Sequence, residues 1–157
     1  MKGRIVLVAF RLASAVASAS KPIKFFGLPY VIFYRLVFEW FLGVEIPWKT
    51  TIGRRLRLYH GPGLVIHPGT VIGDYCVLRH NTTIGISKTG DVSSKSPVIG
   101  NFVDIGANVV IIGNISIGLH SIIGAGSAVV KSIPPYSIVV GNPGRVIKKV
   151  KEIAHEA

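Results

Sequence analysis

The strongest constraint on this chain is a step of six residues. From Ile46 it reaches Ile52 and Leu58, a step of eight leads to Ile66, and sixes resume through Ile72, Leu78 and Ile84. After a longer break the same step links Ile99, Ile105, Ile111, Ile117, Ile123 and Val129, so all thirteen positions are aliphatic. The following residue is Gly at 53, 73, 85, 100, 106, 118 and 124, and the fourth is small or branched at Thr50, Thr70, Cys76, Thr82, Val103, Val109, Ser121 and Ser127. A helix repeats at ~3.6 residues and a half-buried strand at ~2, so neither produces this pattern. A six follows if each hexapeptide supplies one short flat strand and a turn, three of them closing a triangular coil. The aliphatic side chain then points into the prism, the small one packs beside it, and Gly permits the tight corner. Thirteen such units make slightly more than four coils.

A repeat of this kind needs a buried interior, and the composition supplies one. Hydrophobic residues are 49% of the 157 and charged ones 16%, against about 25% charged in an average domain, which excludes intrinsic disorder. Cys76 is the single cysteine, so a secreted disulfide scaffold is excluded and a cytoplasmic setting suits the chain. At an inward small position, Cys76 reads as a core residue and not as a reactive thiol.

Three regions follow: 1–44, a repeat-bearing domain at 45–141, and a short basic tail at 142–157, expected to be helical. In the first, Arg4 to Ala19 is an apolar stretch of good helix formers, Ser20-Lys21-Pro22 breaks it, and a second apolar stretch runs from Pro29 to Gly43. Two short helices are expected. A membrane span needs ~20 apolar residues in a row, and Arg11, Lys21, Lys24, Arg35 and Glu39 interrupt every candidate run. Arg11 also sits where a secretory signal would have its apolar centre. Helices packed on the main domain and helices lying in a membrane interface both remain open, and the two are compatible.

The net charge of +11 is concentrated at the ends, residues 1–44 holding six basic side chains and one acidic. That favours a polyanion or an anionic surface. Nucleic acid is not expected as a partner, because no clustered basic and aromatic face and no recognisable binding module accompanies the charge. The two irregularities of the repeat are the places to look for function. One is the two-residue expansion across Tyr59-His60-Gly61-Pro62-Gly63; the other is the segment 86–97, rich in Ser, Lys and Gly, expected as a loop thrown out of the prism.

The repeat, together with Ile123-Gly124-Ala125-Gly126-Ser127, Ile133-Pro134-Pro135 and Gly141-Asn142-Pro143-Gly144-Arg145-Val146-Ile147, resembles the left-handed parallel β-helix, or hexapeptide-repeat, acyltransferases. Glu45-Ile46, His60-Gly61-Pro62-Gly63 and Ile66-His67-Pro68 are similar to the serine acetyltransferase branch. Tyr34-Arg35-Leu36 to Phe41, leading into Thr51-Ile52-Gly53-Arg54-Arg55, resembles most closely the colanic-acid and capsule biosynthesis acetyltransferases. The resemblance covers residues 30–148. It implies a left-handed β-helix that works as a homotrimer, with acetyl-coenzyme A as donor. His60 falls on the family's general base and Glu45 on its acidic partner, where the family often has Asp. A histidine suits that task because its unperturbed pKa of ~6.5 lies near working pH.

The resemblance also implies a donor groove between neighbouring prisms. It would be lined near Gly85, Gly106, Ala107, Gly124, Ala125 and Gly126, with Lys131 and Arg145 toward the nucleotide phosphates. Serine acetyltransferases carry Asp just before the catalytic His and a second His in the extruded loop; here those places fall on Tyr59 and Ser96. The expected acceptor is therefore a hydroxyl on a sugar or glycan, nucleotide-linked, lipid-linked or polymeric, with Tyr59, Arg79 and Ser96 as acceptor-side candidates. The galactoside and maltose acetyltransferases place their histidine where this chain has Asn108. A zinc enzyme of the same fold needs paired histidine ligands, and the spacing of His60, His67, His80, His120 and His155 supplies no such pair, so no metal is expected. The alternatives are serine acetyltransferase proper and, without catalysis, a trimeric membrane-associated adaptor.

Overall fold

The structure, a computed structural model, describes residues 2–88 and 95–150. Residues 89–94 of the expected loop and 151–157 of the expected tail lie outside the described residues. Two helices, α1 (Lys2–Ser18) and α2 (Lys21–Tyr34), lead through a π-helical turn at Arg35–Phe41 into short strands, numbered here in chain order. The strands wind into a parallel β-solenoid with three faces. The first face stacks β1 (Val44–Glu45), β4 (Leu64–Ile66), β7 (Thr83–Gly85), β10 (Val110–Ile112) and β13 (Ala128–Val129). The second stacks β2 (Thr51–Ile52), β5 (Val71–Ile72), β8 (Val98–Ile99) and β11 (Ser116–Ile117). The third stacks β3 (Arg57–Tyr59), β6 (Val77–Arg79), β9 (Asp104–Ile105), β12 (Ile122–Ile123) and β14 (Ser137–Val140), with β15 (Arg145–Lys149) added antiparallel to β14.

The hexapeptide pattern is the packing pattern. All thirteen aliphatics are buried, as are the eight residues at the small position, Cys76 among them. Each face therefore contributes inward pairs two residues apart, such as Thr82 with Ile84 and Val109 with Ile111, which is the alternation of a strand too short to show it by itself. Burial pushes the Cys76 thiol up from its ordinary range, in keeping with a core residue. The step of eight has a local cause. Leu64 fills the small position before Ile66 and is fully buried, so the two extra residues belong to the corner, not to the strand. Three residues separate Leu78 from Thr82, Ile105 from Val109 and Ile123 from Ser127, whereas five separate Leu58 from Leu64. The widened corner is the one that carries His60.

Among the described residues the corners have left-handed backbone at eight non-glycine positions, a conformation that costs roughly 1–2 kcal/mol for most side chains. On the edge between the second and third faces these are Arg55, Tyr75, Phe102, His120 and Tyr136. Their rings stack rung on rung, with centroids 4.9 Å apart for Tyr75–Phe102, 4.6 Å for Phe102–His120 and 5.2 Å for His120–Tyr136. The Arg55 guanidinium lies 5.6 Å from the Tyr75 ring centre. Aromatic pairs contribute about 0.5–1.5 kcal/mol each beyond burial, which offsets part of the corner strain.

The helices close one end of the prism. Gly3 lies against the Leu58 carbonyl with no room for a Cβ, Arg11 donates to the carbonyls of Ile52 and Gly53, and the Tyr34 hydroxyl donates to the Ile46 carbonyl at 2.8 Å. These contacts touch one strand or strand end on every face of the first coil. Val6, Phe10, Ala13, Tyr34 and Phe38 join the solenoid core, which is the terminal cap a solenoid needs. The expected second helix starts earlier than Pro29: Pro22 lies in its first turn and Pro29 is internal. Where the sequence suggests a helical tail, residues Arg145–Lys149 form a strand.

Replacing Ile111 by Ala should destabilise the protein by about 2–5 kcal/mol, because the site is fully enclosed and collapses poorly. Val110→Ala, on the outer surface of the same strand, should cost less than ~1 kcal/mol. Urea denaturation of both variants checks this.

Candidate active site

The edge between the third and first faces collects most of the residues singled out by sequence. Its corners hold His60, His80-Asn81, Ala107-Asn108 and Ala125-Gly126 on successive coils, tied by bonds from Asn81 N to Pro62 O, Asn108 N to His80 O and Gly126 N to Ala107 O. The Asn81 amide donates to Asn108 Oδ1 at 3.0 Å. Asn tolerates the left-handed corner better than most residues, and its side chain links one rung to the next. In the widened corner His60, Gly61 and Gly63 all have positive φ, which lifts the exposed His60 onto the edge.

Around His60 the sheet register gathers further groups. Tyr59 pairs with Arg79, and the Arg79 guanidinium stands 5.8 Å from the Tyr59 ring centre. Arg79 is also ion-paired with Asp104 and donates to the Ile105 carbonyl at 3.0 Å. The Asp104 hydrogen bond raises the Arg79 pKa above its ordinary value. His80 meets His60 edge-on, ring centres 5.7 Å apart, and among the described residues its buried Nδ1 has no hydrogen-bond partner.

Glu45 lies on the exposed side of the first face, in register with Val65 just past the widened corner. Among the described residues the two ion pairs are Arg35–Glu39 and Arg79–Asp104, so Glu45 and His60 share this end of the edge without a direct bond in the single chain. Glu45 acts on Glu39: burial raises the Glu39 carboxyl pKa, Arg35 works against that rise, and the Glu45 charge adds to it.

The donor candidates divide by location. Gly106 and Gly124 are needed by the stacking itself, since a Cβ on Gly106 would fall 2.5 Å from Ala125 N and one on Gly124 2.8 Å from a Val140 methyl. Their amides are spent within the solenoid, on the Ile123 and Val139 carbonyls. Among the described residues the amides of Ala107 and Ala125 have no protein acceptor, and a Cβ on Gly126 would meet nothing within 4 Å. That edge is therefore open to close approach and offers donors to a carbonyl-bearing chain. Gly85 and Lys131 lie instead toward the edge between the first and second faces, and the exposed Arg145 opens β15.

Ser96 is also on that second edge, where its hydroxyl and His67 Nδ1 are 2.7 Å apart. Within one chain the acceptor candidates thus split, with Tyr59 and Arg79 beside His60 and Ser96 on another edge. The partnership of Arg79 with Asp104 escaped the sequence reading. So did the ring ladder, although both are visible once residues are aligned coil by coil.

Comparison with known proteins gives the class. No family model matches the chain. It is 43% identical over 118 residues to the putative colanic acid biosynthesis acetyltransferase WcaB of Escherichia coli K12, covering 75% of this chain and 72% of that one. Serine acetyltransferase 4 of Arabidopsis thaliana is 36% identical over 154 residues, 97% of this chain but 41% of the relative. The crystal structure of serine acetyltransferase in complex with coenzyme A from Brucella abortus superposes with a TM-score of 0.80 at 31% identity, over 95% of this chain and 57% of that one. Soybean serine acetyltransferase complexed with serine gives 0.78 at 34%, over 93% and 57%. The chain belongs to the hexapeptide-repeat acetyltransferases, and within them it is similar to a colanic acid biosynthesis enzyme along most of that enzyme's length.

The ion pair between Arg79 and Asp104 has side chains 35% and 40% exposed, a setting in which such pairs contribute at most ~1 kcal/mol. Asp104→Asn should therefore shift the urea midpoint only slightly.

Proposed function

We propose that the protein moves an acetyl group from acetyl-coenzyme A to a sugar hydroxyl in the assembly of a surface polysaccharide, as a homotrimer, with His60 as general base. The observation that carries the reading is the widened corner that lifts His60 onto an edge whose farther rungs offer the unpaired amides of Ala107 and Ala125. Three coil steps separate the His60 and Ala125 corners, roughly 14 Å at the usual strand spacing. An extended pantetheine arm is of that length. Laid along the edge, it would put its thioester at His60 while Arg145, paired with Val140 at the end of β14, reaches the nucleotide phosphates from the last coil.

His60 accepts the proton of the acceptor hydroxyl as the oxygen attacks the thioester carbonyl. A C–O bond forms, the C–S bond breaks, and the same proton passes to the departing thiolate. Glu45, which makes no direct bond to His60 in the single chain, is assigned the task of orienting the imidazole and stabilising its protonated form when substrate is bound, by analogy with a carboxylate behind a catalytic histidine. The trimer has a structural motive: Ser96 can join His60 only if the loop-bearing edge of one copy faces the His60 edge of the next, a heterologous contact that closes into a ring. Gly85 and Lys131, on that same edge, would reach the donor in the same way.

The acceptor is read as a sugar for two reasons. The similar Escherichia coli protein is named for colanic acid biosynthesis, and the group beside His60 is an aromatic ring with a guanidinium already committed to Asp104. An amino-acid carboxylate would have to compete with Asp104 for that guanidinium. Aromatic faces suit the apolar side of a pyranose.

His60→Ala should lower turnover at least ~10²-fold, the low end for a lost general base, while sedimentation shows the same assembly as the wild type. Activity within a few-fold of wild type would move the base to another residue. Ala125→Trp, which fills the open edge far from His60, should raise the KM for acetyl-coenzyme A at least ~10-fold in steady-state kinetics and leave acceptor KM nearly unchanged.

A further inference from the structure

The helical cap has two sides, and only one of them is used. Toward the prism it buries Val6, Phe10, Ala13 and Tyr34. Away from it stand large apolar side chains that no described part of the chain covers: Phe25 is 75% exposed, Phe26 80%, Trp40 76% and Phe41 85%. Ile5, Val8 and Leu12 of α1 add an exposed strip at i, i+3, i+7, continuous around a shallow cavity with Arg4 and Tyr30. The solenoid's exposed apolar side chains are scattered and, Ile147 at 63% and Val130 at 53% aside, less than half exposed, so this concentration is particular to the cap. Apolar surface on that scale marks an interaction site.

The charges decide what covers it. Residues 1–44 carry six basic side chains against Glu39 alone, and Glu39 is already bound to Arg35. Arg11 is spent on the prism carbonyls, but Arg4, Lys21 and Lys24 are exposed. Lys21, Lys24, Phe25, Leu28 and Ile32 follow at helical spacing, so cations and apolar side chains share one strip of α2. A second copy of this cap would bring like charges together, whereas an anionic bilayer matches both features. No described helix is long and apolar enough to cross a membrane, so the cap would lie in the plane of the interface.

We infer that the α1–α2 cap is a peripheral membrane anchor that docks on anionic phospholipid, with Phe25, Phe26, Trp40 and Phe41 entering the headgroup boundary and Lys21 and Lys24 facing the phosphates. Gly3 sits on Leu58, next to Tyr59 and His60, so docking holds the His60 end of the prism near the lipid surface. If the acyl-transfer reading holds, the acceptor is met at the membrane. The docking itself does not depend on that reading.

The test is vesicle co-sedimentation of the full chain with phosphatidylcholine vesicles, with and without phosphatidylglycerol. Wild type should bind the anionic vesicles and not the neutral ones. The triple change Phe25→Ser, Phe26→Ser, Phe41→Ser should weaken binding at least ~10-fold, and Lys21→Glu with Lys24→Glu by about fivefold or more per charge. These side chains support no core contact, and circular dichroism should show both variants folded. Absence of binding, equal binding to both vesicle types, or binding indifferent to the phenylalanines overturns the inference. So does a lipid-free wild type that forms a larger assembly which the triple variant dissolves, because a second copy would then occupy the face. No outcome turns on acetyl transfer, so either proposal can fail alone.

Discussion

Everything in this molecule depends on the registration of one coil on the next. Each coil is held by parallel backbone hydrogen bonds at a spacing of about 4.8 Å, and that spacing is maintained because inward side chains meet their own kind directly above and below. Ile72 lies under Ile99 and Ile99 under Ile117 on one face, and Leu64 stands over Val44 on another. The core is therefore built from short-range stacking of residues distant in sequence. A change of one residue in any hexapeptide would turn its inward pair outward. The chain preserves six except at the widened corner, at the loop and at a step of four from Val129 to Ile133, which stacks on Ile117.

That registration also makes the edges informative. Residues that turn each corner are forced into vertical columns whatever their chemistry, and the columns differ. One is a ladder of rings whose stacking offsets part of the cost of left-handed corners. The other begins with His60 and His80, continues through the amide link of Asn81 to Asn108, and ends in Ala and Gly. Polar groups able to handle a proton stand at the capped end, and small residues able to admit a ligand stand at the far end. The polarity of the edge thus follows from the solenoid, with the chemistry added by side-chain choice.

Much of this was legible in the sequence because a step of six has few physical solutions. The inward aliphatics, the small positions and the placement of His60 in an irregular corner all follow from counting. What counting missed has a common cause. The pairing of Arg79 with Asp104, the ring ladder and the contact of His80 with His60 join residues one coil apart, and the number of residues per coil varies with the corners and the loop. The apolar run from Pro29 suggests a helix starting there, because proline suits a first turn, whereas Pro22 holds that position in α2 and the helix continues through Pro29. The split of Ser96 from His60 was invisible for a different reason: a sequence does not say which edge of a prism a loop leaves from.

The central claim is that this member of the family acetylates a sugar hydroxyl at an edge built around His60. The most direct test is coenzyme A release from acetyl-coenzyme A, measured with the full chain against serine, free sugars, nucleotide sugars and exopolysaccharide or capsule fragments. The account predicts turnover on one of the glycans and none on serine. Turnover on serine with none on any glycan would contradict it, and would mean that Tyr59, Arg79 and Ser96 hold an amino acid despite the commitment of Arg79 to Asp104.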